Sequence, residues 1–113
     1  MSTNDNADSA KIAAMNDALR QDGVGGKIMM TAGIQALGQK AVNNIIAQIR
    51  AFATFTEDND PYCERDFGSI MFGNNKVFWK IDAYDRNLEY GSPDPTDPSV
   101  TVRVMTIMLA GEY

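Results

Sequence analysis

A chain of 113 residues, 44% apolar and 22% charged, is sized and mixed for one globular domain with its own core. It has no histidine and a single cysteine, Cys63, which excludes an internal disulfide, a structural zinc site and the Ser-His and Cys-His nucleophilic designs. The net charge of −5 opposes a phosphate backbone, so direct nucleic-acid binding is not expected.

That charge is unevenly spread. Residues 1–53 hold four acids (Asp5, Asp8, Asp17, Asp22) and five bases (Lys11, Arg20, Lys27, Lys40, Arg50). Residues 54–113 hold eleven acids and five bases, so the acidity belongs to the second half. Such a surface suits a basic protein partner, and it equally keeps a protein soluble.

Along the chain, residues 1–8 read as a disordered polar tail and residues 9–113 as a single domain. The start lacks the basic and apolar stretches of a signal peptide, and no run of about 18 apolar residues follows. A cytoplasmic location with no membrane contact is therefore expected. Ser9 is placed to cap a helix over 10–21, with Ile12, Met15 and Leu19 as its apolar stripe. Gly23, Gly25 and Gly26 form a turn before a short strand at 27–31, and 32–38 is a connector. A phosphate-binding loop would precede a helix, so these glycines do not make one.

A second helix is expected over 39–55, because Val42, Ile45, Ile46, Ile49, Phe52 and Ala53 form one continuous stripe. The acidic segment TEDNDPYCERDF (56–67) reads as a loop through its Asn-Asp-Pro. A hairpin follows, 69–72 against 76–84 across Gly73-Asn74-Asn75. Alternation sets Val77, Trp79, Ile81 and Ala83 on one face, and Lys76, Phe78, Lys80, Asp82 and Tyr84 on the other. A third strand is expected at 88–90. The segment 99–111 alternates like a strand, yet Val100, Val104, Ile107 and Met108 also make a helical stripe. Asp97-Pro98, a capping carboxylate followed by proline, favours helix. The expected fold is α+β: helix, strand, long helix, antiparallel β-meander, C-terminal helix, with the helices on one sheet face.

No catalytic residues, metal ligands or cofactor site emerge. Glu57, Asp58, Asp60, Glu64 and Asp66 carry oxygens suited to hard cations, but Tyr62 and Cys63 break the spacing of a calcium loop. Trp79 reads as core, whereas Phe78 and Tyr84, mixed with Lys80 and Asp82, mark a face that either meets a partner or lies under a helix.

The runs LRQDGVGGKIMMTAGI (19–34), FTEDNDPYCERDFG (55–68) and FWKIDAYDRNLEYGSPDPTDPSVTVRVMTIMLAGEY (78–113) resemble the bacterial domain-of-unknown-function family 3768. The resemblance covers nearly everything after the tail. It implies a small alphaproteobacterial protein of a kind often carried on mobile elements, and it brings no established activity. Members often have Gly-Glu-His where this chain has Cys63-Glu64-Arg65, so chemistry needing that histidine would be missing here.

Together these point to a non-enzymatic protein-binding module, plausible as an anti-CRISPR or antirestriction inhibitor that occupies a basic, nucleic-acid-handling defence protein. The candidate contact residues are Glu57, Asp58, Asp60, Glu64, Asp66, Asp82, Tyr84, Asp85, Asp94 and Asp97. The alternatives are a small metal-dependent enzyme using the 57–66 loop and a homodimeric structural subunit.

Overall fold

A computed structural model describes residues 3–113, with side chains from Asp8 onward. In chain order the elements are α1 (Thr3–Asp22), β1 (Lys27–Met30), α2 (Ala32–Gln35), α3 (Gln39–Ala51), β2 (Phe67–Phe72), β3 (Asn75–Tyr84) and β4 (Val102–Leu109). Single 3-10 turns, Pro98–Val100 and Ala110–Glu112, flank β4. The strands form one mixed sheet in the order β1-β4-β3-β2, with β1 parallel to β4 and the other pairs antiparallel.

The α+β class stands, but its last element is a strand and not a helix. Asp97 does cap, its Oδ1 accepting from Ser99 N at 2.9 Å, yet the turn it starts lasts three residues. From Val102 the chain pairs with β3 on one side and β1 on the other. Met105 and Ile107 are buried on one face, Val104 and Met108 on the opposite face. A central strand buried on both faces is apolar almost without a break, so it mimics a helical stripe. The parallel β1–β4 pair likewise turns the expected meander into a mixed sheet.

Smaller differences have local causes. The segment expected as a tail is helical from Thr3, which puts Ser9 inside α1; residues 1 and 2 lie outside the described residues. Gly23, at φ +70°, ends α1 with its N–H on Leu19 O at 2.9 Å. The connector contains the one-turn α2. Helix α3 stops at Ala51, so Phe52 and Phe55 leave the helix and fold onto Trp79, ring centroids 5.6 and 6.1 Å away. Residues 88–90 bend after a turn closed by Leu88 N on Asp85 O at 3.1 Å, and in place of the expected strand a single bridge joins Tyr84 and Gly91 among the described residues.

One sheet face carries Val77, Trp79, Ile81, Met105 and Ile107 against Leu19, Ile34, Val42, Ile45 and Ile49 of the helices. Trp79 is fully buried at its centre. Gly68 leaves the room it needs: a Cβ there would come within 2.5 Å of the indole nitrogen. Arg20 is also inside this layer, 2% exposed, with its guanidinium over the rings of Phe55 and Trp79. Nη1 donates to the carbonyls of Ile49 and Phe52 at 2.9 Å, and Nη2 to Asp17 at 3.0 Å. A guanidinium thus closes the C-terminal end of α3, where free carbonyls gather.

The other sheet face lies opposite that core cluster. Phe67 and Phe78 sit there, and Tyr113 packs edge-on to both, centroids 6.2 and 5.6 Å away. Glu112 fixes that C-terminal turn by accepting from Thr31 Oγ1 (2.6 Å), Leu109 N (2.8 Å) and Gly33 N (3.1 Å). These bonds, Thr31 first, hold its carboxyl below the ordinary glutamate range. Among the described residues no helix is long and apolar enough to cross a membrane.

Candidate functional site

The ten candidate side chains separate into groups by what already holds them. Asp60 is buried, and its Oδ1 accepts from Glu64 N and Arg65 N, both at 3.0 Å. It staples the loop through the left-handed residues Cys63 (φ +58°) and Arg65 (φ +54°). Asp85 takes Asn87 N and Glu89 N, Asp94 takes Thr96 N and Oγ1, and Asp97 takes Ser99 N and Oγ. Those three carboxylates build turns, the usual work of aspartate in such loops. Glu57 and Asp58 are exposed, and Glu57 borders a groove between α1 (Ala10, Ala14, Asp17) and the loop residues Phe55, Tyr62 and Arg65.

Glu64, Asp66 and Asp82 are brought together. They line a cavity of about 180 Å³ with Ile12, Asn16, Pro95 and Arg103. Arg103 is only 4% exposed. Its Nε donates to Asn16 Oδ1 at 2.8 Å, its Nη2 to Pro95 O at 2.7 Å and its Nη1 to Met15 Sδ at 3.4 Å. Asn16 in turn donates to Glu64 O at 2.8 Å, which ties α1, the acidic loop and β4 to one another. Among the described residues Arg103 makes no ion pair with any of the three carboxylates.

Glu64 and Asp66 are therefore poorly compensated. Burial raises the pKa of Glu64, and Asp66 and Asp60 raise it further, with Arg103 pulling the other way. Burial also raises Asp66, aided by Asp60 and Asp82 against its own backbone hydrogen bond. Burial lowers Arg103, opposed by Glu64. Asp82 has a partner on the sheet face opposite the core cluster, Lys80 Nζ at 3.2 Å, whose pKa it raises chiefly through that hydrogen bond. Tyr84 follows two residues on, beside Asp82 on that face.

Sequence reasoning named the acids of this cavity but not Asn16 or Arg103. A signal was present for Arg103, the one charge in the apolar run VTVRVMTIML, since a lone charge on a central strand must be buried with partners. Asn16 sits among the polar residues of α1, and nothing near it in sequence marks it. No group of three Cys, Asp or Glu side chains among the described residues stands close enough to hold a metal ion. Cys63 is exposed on the loop.

No curated protein and no solved structure matches this chain. A family model described as "Protein of unknown function (DUF3768)" matches residues 30–112, which span α2, α3, β2, β3, β4 and the loop that carries Asp60, Glu64 and Asp66, and the chain belongs to that family.

Proposed function

We propose that this protein is a non-enzymatic protein-binding module, acting in the cytoplasm, whose acidic cavity rim receives a basic surface of another protein. The observation that carries this reading is geometric: Glu64, Asp66 and Asp82 line one cavity, and among the described residues Glu64 and Asp66 have no ion pair to offset the burial that raises their pKa. A carboxylate held above its ordinary pKa is in a field that an incoming Lys or Arg would relieve. Perturbed ionisable groups in a cleft are also a general mark of functional sites. Glu57 and Asp58 extend the negative surface along the same loop. The narrower form of the reading is an anti-CRISPR or antirestriction inhibitor that covers a basic nucleic-acid channel in a defence protein. It rests on the association of such resemblances with mobile elements and on this charge pattern.

The test is affinity capture from lysate at low and high salt, with and without nuclease. One basic, nucleic-acid-handling protein should be retained at low salt, released at high salt and unaffected by nuclease. A variant carrying Glu57→Lys, Asp58→Lys, Glu64→Lys and Asp66→Lys should keep the fold and lose that protein; Asp60 is left in place because it holds the loop. Retention by the folded variant would overturn the acidic-surface reading.

A further inference from the structure

We infer that β2 is a self-pairing edge, through which two copies of this chain join antiparallel into one continuous sheet. β2 ends the strand order β1-β4-β3-β2. Ile81 N donates to Asp66 O at 2.7 Å, which fixes the phase of the β2–β3 ladder. Antiparallel bonding alternates along a strand, so Gly68, Ile70 and Phe72 bond to β3, while Phe67, Ser69 and Met71 turn N–H and C=O outward. Among the described residues nothing hydrogen-bonds to those six groups. The opposite edge, β1, differs, because Met30 O already accepts from Gln35 Nε2 at 2.8 Å.

Edge strands are normally guarded by lysine, proline or a bulge. Residues 67–75, FGSIMFGNN, contain no charge and no proline, and β2 pairs with β3 without a bulge. The occupant is a second copy because the edge is complementary to itself. A two-fold axis at Ser69 sets Ser69 opposite Ser69 and Phe67 opposite Met71 in both directions. All six outward groups are then bonded, with no like charges opposed. At about 3.3 Å per residue the shared edge is about 20 Å long. It belongs to the small, weak class of interface, so dimer is expected at high chain concentration and monomer at low.

Sedimentation velocity from about 1 to 500 µM should show a concentration-dependent rise from monomer to dimer. Ser69→Lys opposes two ammonium groups at the axis and should leave monomer throughout, with an unchanged melting curve because Ser69 is exposed. Register is read separately in a Cys63→Ser background under mild oxidation. Ser69→Cys should cross-link, since directly opposed Cα atoms of a bonded pair stand about 5.5 Å apart, within disulfide reach. Met71→Cys should not, because it faces Phe67. A wild-type monomer at 500 µM overturns the inference. So does a dimer that survives Ser69→Lys, or equal cross-linking of the two cysteine variants.

Discussion

Two arginines are almost equally buried, Arg20 at 2% and Arg103 at 4% exposed, and they are used in opposite ways. Arg20 lies between aromatic rings and bonds the carbonyls that end α3, with Asp17 as its ion pair. Arg103 bonds an amide oxygen, a carbonyl and a thioether, and among the described residues the neighbouring Glu64 and Asp66 carboxylates have no ion pair. One buried charge completes a core. The other fixes the base of a cleft whose rim stays electrostatically unsatisfied. A nearly inaccessible guanidinium is thus no guide to role until its partners are counted.

The comparison breaks most sharply at Arg20. Arg20→Ala strips the α3 carbonyls of their donor and removes the charge stacked on Trp79, and should cost about 3 kcal/mol. Urea unfolding would show it as a lower midpoint at an unchanged slope. Most of its partners are carbonyls, so the larger part of the loss should persist in acid, with only the part owed to the Asp17 ion pair fading. Gly68→Ala attacks the same layer from the sheet side, driving a methyl at the indole of Trp79, and should cost about 2 kcal/mol. Arg103→Met keeps the volume but unbonds Asn16 Oδ1 and Pro95 O and removes the cation facing Glu64. A loss of about 1–2 kcal/mol is expected at neutral pH. It should shrink in acid as Glu64, the carboxylate that Arg103 faces, protonates.

How far the sequence reveals this division depends on the range of the forces involved. The hairpin, the alternation in β3 and the stripe of α3 are set by neighbours two to four residues apart, and all three are legible from spacing. Segment 102–109 is not, because its partners β1 and β3 lie some 75 and 25 residues away in sequence, and its Asp-Pro start signals a helix that the sheet overrides. In the site, the acids are visible but their sorting is not: Asp60, Asp85, Asp94 and Asp97 are occupied by turns. The link from Arg103 to Asn16 spans 87 residues. Residue 63 lies between these cases. Its φ of +58° is a left-handed position, which glycine adopts without strain. Cys63→Gly should relieve the strain, offset by glycine's chain entropy, for a gain of roughly 0.5 kcal/mol in the same urea assay.

The smallest expected effect is the most informative about the cleft. Asp66 is raised above its ordinary 3.8, so the folded protein holds that proton more tightly than the unfolded chain. Its contribution to stability is therefore full below the unfolded value and is lost as pH rises through the folded one. Asp66→Asn, which cannot ionise, escapes that loss. It should melt slightly higher than wild type at neutral pH, and the advantage should vanish as pH falls below 3.8. A lower melting point at neutral pH would mean that the ionised carboxylate is stabilised where it stands, and the cleft would have no unmet demand for a cation. With a basic partner bound, the sign should invert. A lysine or arginine in the cleft would hold Asp66 ionised, so the substitution that stabilises the free protein should weaken the complex. Gain in the free fold and loss in the complex, from one neutral substitution, would separate a carboxylate kept for binding from one that only decorates a surface.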